Sequence, residues 1–224
     1  MDARSDAFSM NTIFSLTMGL LTSFFPHTVR PELVGDPNYT CAPLAWTVPA
    51  TMGDDGHLRG TATVVCDFQA LSGGGYPELQ NYELAQLKKE ATTVNSGPVG
   101  GTFDSMSSET YDFDMNLVFS GTTVVAHELG TIATDQKTRL VTVLQTESIT
   151  GSAYDDYVKG FNITLDVVPT KVSKHYTATL SVAIDMTKPW YAPTETFETD
   201  VVNAAQTAVT NYQATVMGEI QNNI

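Results

Sequence analysis

Positive charge, cysteine and histidine are all scarce in this chain, and each shortage removes a class of function. Its 224 residues carry 11 Lys and Arg against 25 Asp and Glu, a formal charge of −14. Recognition of a phosphate backbone needs neutralising cations, so direct sequence-specific nucleic-acid binding is not expected. Two cysteines cannot staple a disulfide-dense mini-fold. The four histidines, His27, His57, His127 and His175, are dispersed and have no partners nearby in sequence. No Gly-x-Ser-x-Gly nucleophile turn is present, and the Ser-Gly-Gly-Gly-Tyr run lacks the Lys-Ser/Thr of a phosphate-binding loop. No cofactor is implied.

What is present is ordinary apolar content, 42% hydrophobic residues with only 16% charged. That suffices for one domain with a sizeable core, or one domain plus an arm, and it excludes a disordered polyanion. Threonine is abundant, at 32 residues, and suits half-buried pleated positions. A surface of Thr, Ser, Asn and Asp with little Lys is common on secreted, surface-displayed and virion proteins, so a virion or extracellular setting is expected. Acid is concentrated between residues 90 and 136, which hold seven carboxylates and no Lys or Arg. Cys41 and Cys66 stand either as one bridge closing over Trp46 or as two buried thiols.

Residues 7–26 carry no charge, and their apolar heart spans 13–25. That length fits a secretory core and is short for a membrane span. The preceding residues include two Asp and one Arg, and no small-x-small cleavage site follows, so the segment is expected to be retained. Ile13, Phe14, Leu16, Leu20, Leu21, Phe24 and Phe25 fall near helical spacing, and Pro26 ends the run. A helix apolar over most of its circumference must be covered by its own domain, by another copy or by lipid. Phe14, Leu20, Leu21, Phe24 and Phe25 are therefore expected to contact a second copy in a homo-oligomer, with membrane contact as the alternative. Residues 27–60, with four prolines and four glycines, predict an extended arm punctuated by turns.

From residue 61 alternation takes over. Ala62, Val64, Cys66 and Phe68 share one face of a predicted strand. Residues 77–91 predict a helix, and Asn95-Ser-Gly-Pro-Val-Gly-Gly predicts a break. Tyr111, Phe113, Met115, Leu117 and Phe119 mark the clearest half-buried strand, followed by strands over 122–133, 138–146, 161–167 and 175–186. Short connections make them antiparallel neighbours, and one apolar face implies a sheet covered on one side. Phe197, Val201, Ala205, Ala208, Tyr212, Val216 and Ile220 form a stripe on a predicted helix over 194–222.

The sharpest motif is His127-Glu128-Leu129-Gly130, which resembles the first half of a metalloprotease helix signature. That chemistry needs two histidines one helical turn apart. The second position here is Thr131 and the third-ligand position is Lys137. A strand would also send His127 and Glu128 to opposite faces, so no metal site is expected. Asp54–Asp55, Asp112/Asp114 and Asp155–Asp156 match no calcium-loop spacing. The triplets at Asn38 and Asn162 are glycosylation sequons. Trp190 and Tyr191, set between two prolines, read either as an aromatic ligand or interface anchor or as a hydrophobic plug.

The expected fold class is α+β. An antiparallel sheet of about five to seven strands packs on a long C-terminal helix, with an N-terminal helix and arm over 1–60 and the α+β domain over 61–224. The order strand, helix, strands, long helix is loosely similar to helix-grip ligand-binding domains. The leading functional expectation is a non-enzymatic, self-assembling subunit of capsid, tail or surface-layer type. The alternative is a secreted or periplasmic module that holds an apolar small molecule between the sheet and the C-terminal helix. A hydrolase would need His127 or His175 to meet a carboxylate and a nucleophile in one pocket.

Overall fold

The computed structural model describes residues 39–224 apart from 72–74, 120–121, 136, 151–156 and 191. Nine strands and two helices make up these residues. They are β1 (Tyr39–Cys41), β2 (Ala45–Met52), β3 (His57–Gln69), α1 (Tyr76–Glu90), β4 (Ala91–Phe103), β5 (Met106–Phe119), β6 (Thr122–Thr134), β7 (Leu140–Thr150), β8 (Val158–Pro169), β9 (His175–Thr187) and α2 (Thr194–Asn223). All strands belong to one antiparallel sheet with the order β1-β3-β9-β8-β7-β6-β5-β4, and β2 also pairs with β3. β1 and β2 lie end to end on one edge of β3, opposite Cys66–Phe68 and Leu58–Thr63 respectively.

Alternation explains the sheet. Leu58, Ala62, Val64, Cys66 and Phe68 of β3 are buried, as are Ala178, Leu180, Val182, Ile184 and Met186 of β9 and Phe161, Ile163, Leu165 and Val167 of β8. Register puts these residues directly opposite one another, for example Val64 with Leu180 and Leu180 with Leu165. They form one continuous apolar face. The other face carries Thr and Ser ladders, such as Thr63 to Ser181 at 3.2 Å and Thr110 to Thr131 at 3.0 Å, and needs no cover.

Both helices lie on the apolar face. α1 packs on β4, β6 and β7, whereas α2 packs on β2, β3 and β9. The buried residues of α2 are Phe197, Val201, Ala205, Val209, Met217 and Ile220. Val209 and Met217 were not in the expected stripe, and they carry the four-residue step along the helix. Fully burying each large member of the stripe stabilises the fold by roughly 1.5–3 kcal/mol.

The expected fold class is corrected on two counts. The sheet has nine strands, not five to seven, and it dominates the molecule. The C-terminal helix covers only the β2–β3–β9 end, while α1 covers the other half. Three strands were missed for one reason. β2 contains Pro49, β4 contains Gly97, Pro98, Gly100 and Gly101, and β1 is three residues long. All three lie at sheet edges, where one side of the backbone needs no partner and Pro and Gly are tolerated. β4 also departs from regular register between Ser96 and Val99. Residues 39–60 of the expected arm are thus β1, β2 and the start of β3. The apolar segment of residues 7–26 lies outside the described residues.

Two local features lock the β1–β2–β3 edge. Cys41 and Cys66 are paired across β1 and β3 and joined by a disulfide. It closes a loop over 25 residues, a constraint on the unfolded chain of roughly 3 kcal/mol. Gly60 lets β2 fold closely over β3, because a Cβ there would meet Ala50 Cα at 2.7 Å and Trp46 Cζ3 at 2.9 Å. Gly60→Val is therefore expected to cost about 1–3 kcal/mol by overpacking. Thr61→Val, on the solvent face, should stay within about 0.5 kcal/mol. Equal denaturant midpoints for the two variants would contradict this packing.

Candidate functional site

The second half of α2 does not close fully on the sheet. A narrow cleft remains, lined by Val64 and Cys66 of β3, Leu165 of β8, Ala178 and Leu180 of β9, and Gln213 and Met217 of α2. Strand alternation turns the five sheet residues inward, and the four-residue step brings Gln213 and Met217 over them. The space it encloses is about 10 Å³, room for about one water molecule, so any organic guest requires α2 to lift. Cys66 is tied into the disulfide and contributes an apolar wall with no reactive thiol.

The start of α2 is held by polar contacts. Glu198 Oε1 accepts a hydrogen bond from the Met52 backbone N–H at 2.9 Å, fixing the first turn to β2. Lys188 Nζ donates to the carbonyls of Pro189 and Ala192 at 3.3 and 2.7 Å, which braces the turn into the helix. Trp190 sits on this turn and is exposed, outside the cleft. Tyr191, Phe14, Leu20, Leu21, Phe24 and Phe25 lie outside the described residues.

A second groove runs between α1 and β4–β5, lined by Leu84, Lys88, Ala91, Val94, Tyr111 and Phe113. The Lys88 ammonium stands 5.6 Å from the centre of the Tyr111 ring, a cation–π contact that covers the groove.

The strand through residues 122–134 sends His127 and Glu128 to opposite faces. His127 lies on the outer face, with Nδ1 2.9 Å from Asp114 and Nε2 3.4 Å from Asp112 and 3.7 Å from Glu147. The hydrogen bond with Asp114 raises its pKa, aided by the charges of Asp112, Asp114 and Glu147. The acidic pair Asp112/Asp114 thus holds a histidine. Among the described residues no group of three or more His, Cys, Asp or Glu is placed to hold a metal ion.

Glu128 points inward and is fully buried. Burial pushes its carboxyl up to about 8, opposed by a hydrogen bond from Thr146 and aided by Glu147. Glu83 of α1 is also buried, at 7% exposure. Burial pushes it up to about 7, opposed by the neighbouring Thr142 hydroxyl, although that hydroxyl is not aligned for a hydrogen bond. Sequence reasoning missed both as interior groups. The signals were there: Glu83 lies four residues after Leu79 on one helix face, and Glu128 shares its strand face with Ala126 and Ile132.

No protein-family model and no curated relative matches this chain. Among solved structures it is similar to human STARD10, with TM-score 0.37 and 10% identity over 84% of this chain and 75% of that one. It is also similar to the human StarD13 (DLC2) lipid transfer and protein localization domain, with TM-score 0.34 and 13% identity over 73% and 86%. A third is the major latex-like protein 151 of Panax ginseng, with TM-score 0.29 and 13% identity over 66% and 96%. These likenesses are distant, and the functional reading rests on the chain's own residues. The capsid, virion and self-assembly expectation is withdrawn. The described body buries its apolar face under its own helices, and the apolar segment on which that expectation rested lies outside the described residues.

The two raised carboxyls have a measurable consequence. In the folded protein they keep their protons to about pH 7 and 8, whereas in the unfolded chain they release them near 4.5. Between those limits the unfolded state binds fewer protons, so the stability these two groups contribute is fully present below about pH 4.5 and is lost as pH rises towards 8. Melting temperature is expected to drop by several degrees between pH 5 and pH 8, with the slope reduced in Glu128→Gln. A flat or rising profile in wild type would contradict the burial of these groups.

Proposed function

We propose that this protein is a binding module for an apolar small molecule, held between the sheet and the second half of α2. The observation that carries this reading is the cleft itself. Six of its seven lining residues are apolar, it is open at one side, and it is roofed by helix residues that no polar contact among the described residues ties to the sheet. The space enclosed at rest is about 10 Å³, so a guest enters only as this roof rises. The ordered polar bracing at the other end of α2 lets the roof rise without releasing the helix. The ligand would be captured by apolar contact, with Gln213 the one polar group among the described residues of the cleft wall. A secreted or surface setting accords with the disulfide.

The test is to fill the cleft. Ala178→Leu adds bulk at its floor, and Thr179→Leu places the same side chain on the opposite face of β9. Affinity for a neutral apolar dye such as Nile red is expected to fall about tenfold or more in Ala178→Leu, equivalent to about 1.4 kcal/mol. It should be unchanged in Thr179→Leu. Absence of dye binding by the wild-type chain, or equal loss in both variants, would refute the reading.

A further inference from the structure

The loops at one end of the sheet depart from the acidic character of the chain. Gln69 at the end of β3 pairs with His175 at the start of β9, so the β3–α1 connection and the β8–β9 turn leave the sheet side by side. Residues 68–77 and 167–184 hold no Asp or Glu, in a chain with 25 of them, whereas the turn carries Lys171 and Lys174. Both lysines are exposed, and neither has an ion-pair partner among the described residues. Val172 lies between them at 59% exposure, and Leu71, on the adjoining loop, is 55% exposed.

This tip is ordered. The Ala70 N–H donates to the Lys174 carbonyl at 2.9 Å, which ties the two loops together. The Thr170 N–H donates to the His175 carbonyl at 2.8 Å, the His175 N–H to the Val172 carbonyl at 3.1 Å, and the Val172 N–H to Thr170 Oγ1 at 3.1 Å. Phe68 stacks on Tyr176 at the base, and Tyr76 meets Tyr176 edge-on. Single exposed apolar side chains are ordinary. Here two are held out in water on tied loops, beside cations, in a chain that has few cations.

The partner that fits is a lipid surface with anionic headgroups. Two apolar side chains on short loops fall far below the ~800 Å² per partner that a stable protein interface buries. They suffice to enter the headgroup boundary, where lysine ammonium groups meet anionic lipid and their stems lie along apolar surface. The net charge of −14 opposes approach of the chain as a whole, yet charges beyond roughly 8–10 Å are largely screened in physiological salt. Strands of 13 residues, β3 and β9, carry the far end of the sheet roughly 40 Å away. Of the nearer acids, Asp166 and Asp104 pair with Arg139, Asp135 accepts the backbone N–H groups of Lys137, Thr138 and Arg139, and Asp67 accepts the Thr177 hydroxyl. Glu78 at the start of α1 opposes the contact, against Lys171, Lys174 and Lys137.

We infer that Leu71, Val172, Lys171 and Lys174 form a tip that docks on anionic lipid surfaces and inserts its two apolar side chains among the headgroups. Docking needs no guest and so goes beyond the cleft reading. The cleft pair Cys66–Ala178 lies three cross-strand pairs from Gln69–His175, so a docked tip brings the cleft close to a store of apolar molecules.

The experiment is sedimentation of the full chain with vesicles of equimolar phosphatidylcholine and phosphatidylserine, or of phosphatidylcholine alone. Binding to the mixed vesicles is expected to be about tenfold tighter and to weaken with added salt. Lys171→Glu combined with Lys174→Glu should reduce it about tenfold or more, and Leu71→Ser combined with Val172→Ser about fivefold or more. Lys159→Glu, at the opposite end of β8, should change it by less than about twofold. All the substituted side chains are exposed, so none is expected to disturb the fold. No preference for phosphatidylserine in wild type would overturn the inference, whatever the variants do. So would binding unchanged in both tip variants, which would place it elsewhere, the apolar segment of residues 7–26 included. Loss in the lysine variant alone would mark a purely ionic contact with a polyanion and would also overturn it. Each of these failures leaves the cleft standing, because dye binding in solution tests the cleft without any vesicle.

Discussion

A sheet this wide with one apolar face must be covered, and only two helices among the described residues are available to cover it. That constraint organises the molecule. Alternation along β5–β9 brings most of the inward residues onto one apolar surface, with Thr142, Thr146 and Glu128 as polar exceptions. α1 and α2 divide the surface between them, one over β4, β6 and β7 and the other over β2, β3 and β9. Wherever their covers fail to meet the sheet closely, space is left over apolar or polar floor. The cleft at Met217 is one such place.

The same alternation assigns opposite fates to neighbouring residues. His127 faces outward and rests among three carboxylates, where its charge is easily solvated and paired. Glu128, one position later, is carried inside and loses its water. An adjacent pair that looks like half of a metal motif in sequence is therefore split by the sheet into a surface ion cluster and an interior acid. Neither half can do the work of the motif. The interior acid matters for what it lacks, since one carboxyl oxygen has no partner among the described residues.

Much of the central sheet was legible because its residues obey a period of two. The alternation of Tyr111, Phe113 and Met115, and that of Ala178 to Met186, directly sets which side chains are buried. The edges were not legible. Pro49 and Pro98 read as breaks, yet an edge strand pairs on one side only and accommodates them. The helix stripe was read incompletely: Phe197, Val201, Ala205 and Ile220 were anticipated and are buried, Val209 and Met217 were not anticipated, and the side chains of Ala208, Tyr212 and Val216 lie outside the described residues. Glu83 and Glu128 were hidden by their chemistry. A carboxylate is expected at a surface, and only its place in an apolar register, four after Leu79 or two after Ala126, reveals that it points inward. Trp190 drew attention by its aromatic character and proved to be exposed on the turn before α2.

The central claim is that the second half of α2 is a roof over a ligand-accepting apolar floor. Backbone hydrogen exchange of the full chain, with and without saturating methyl decanoate, tests it most directly. The account predicts slower exchange with ligand in the α2 amides around Gln213 and Met217, with β5 and β6 unchanged. Exchange unaltered in α2, or protection that appears only on the outer face or at the β4 edge, would contradict it.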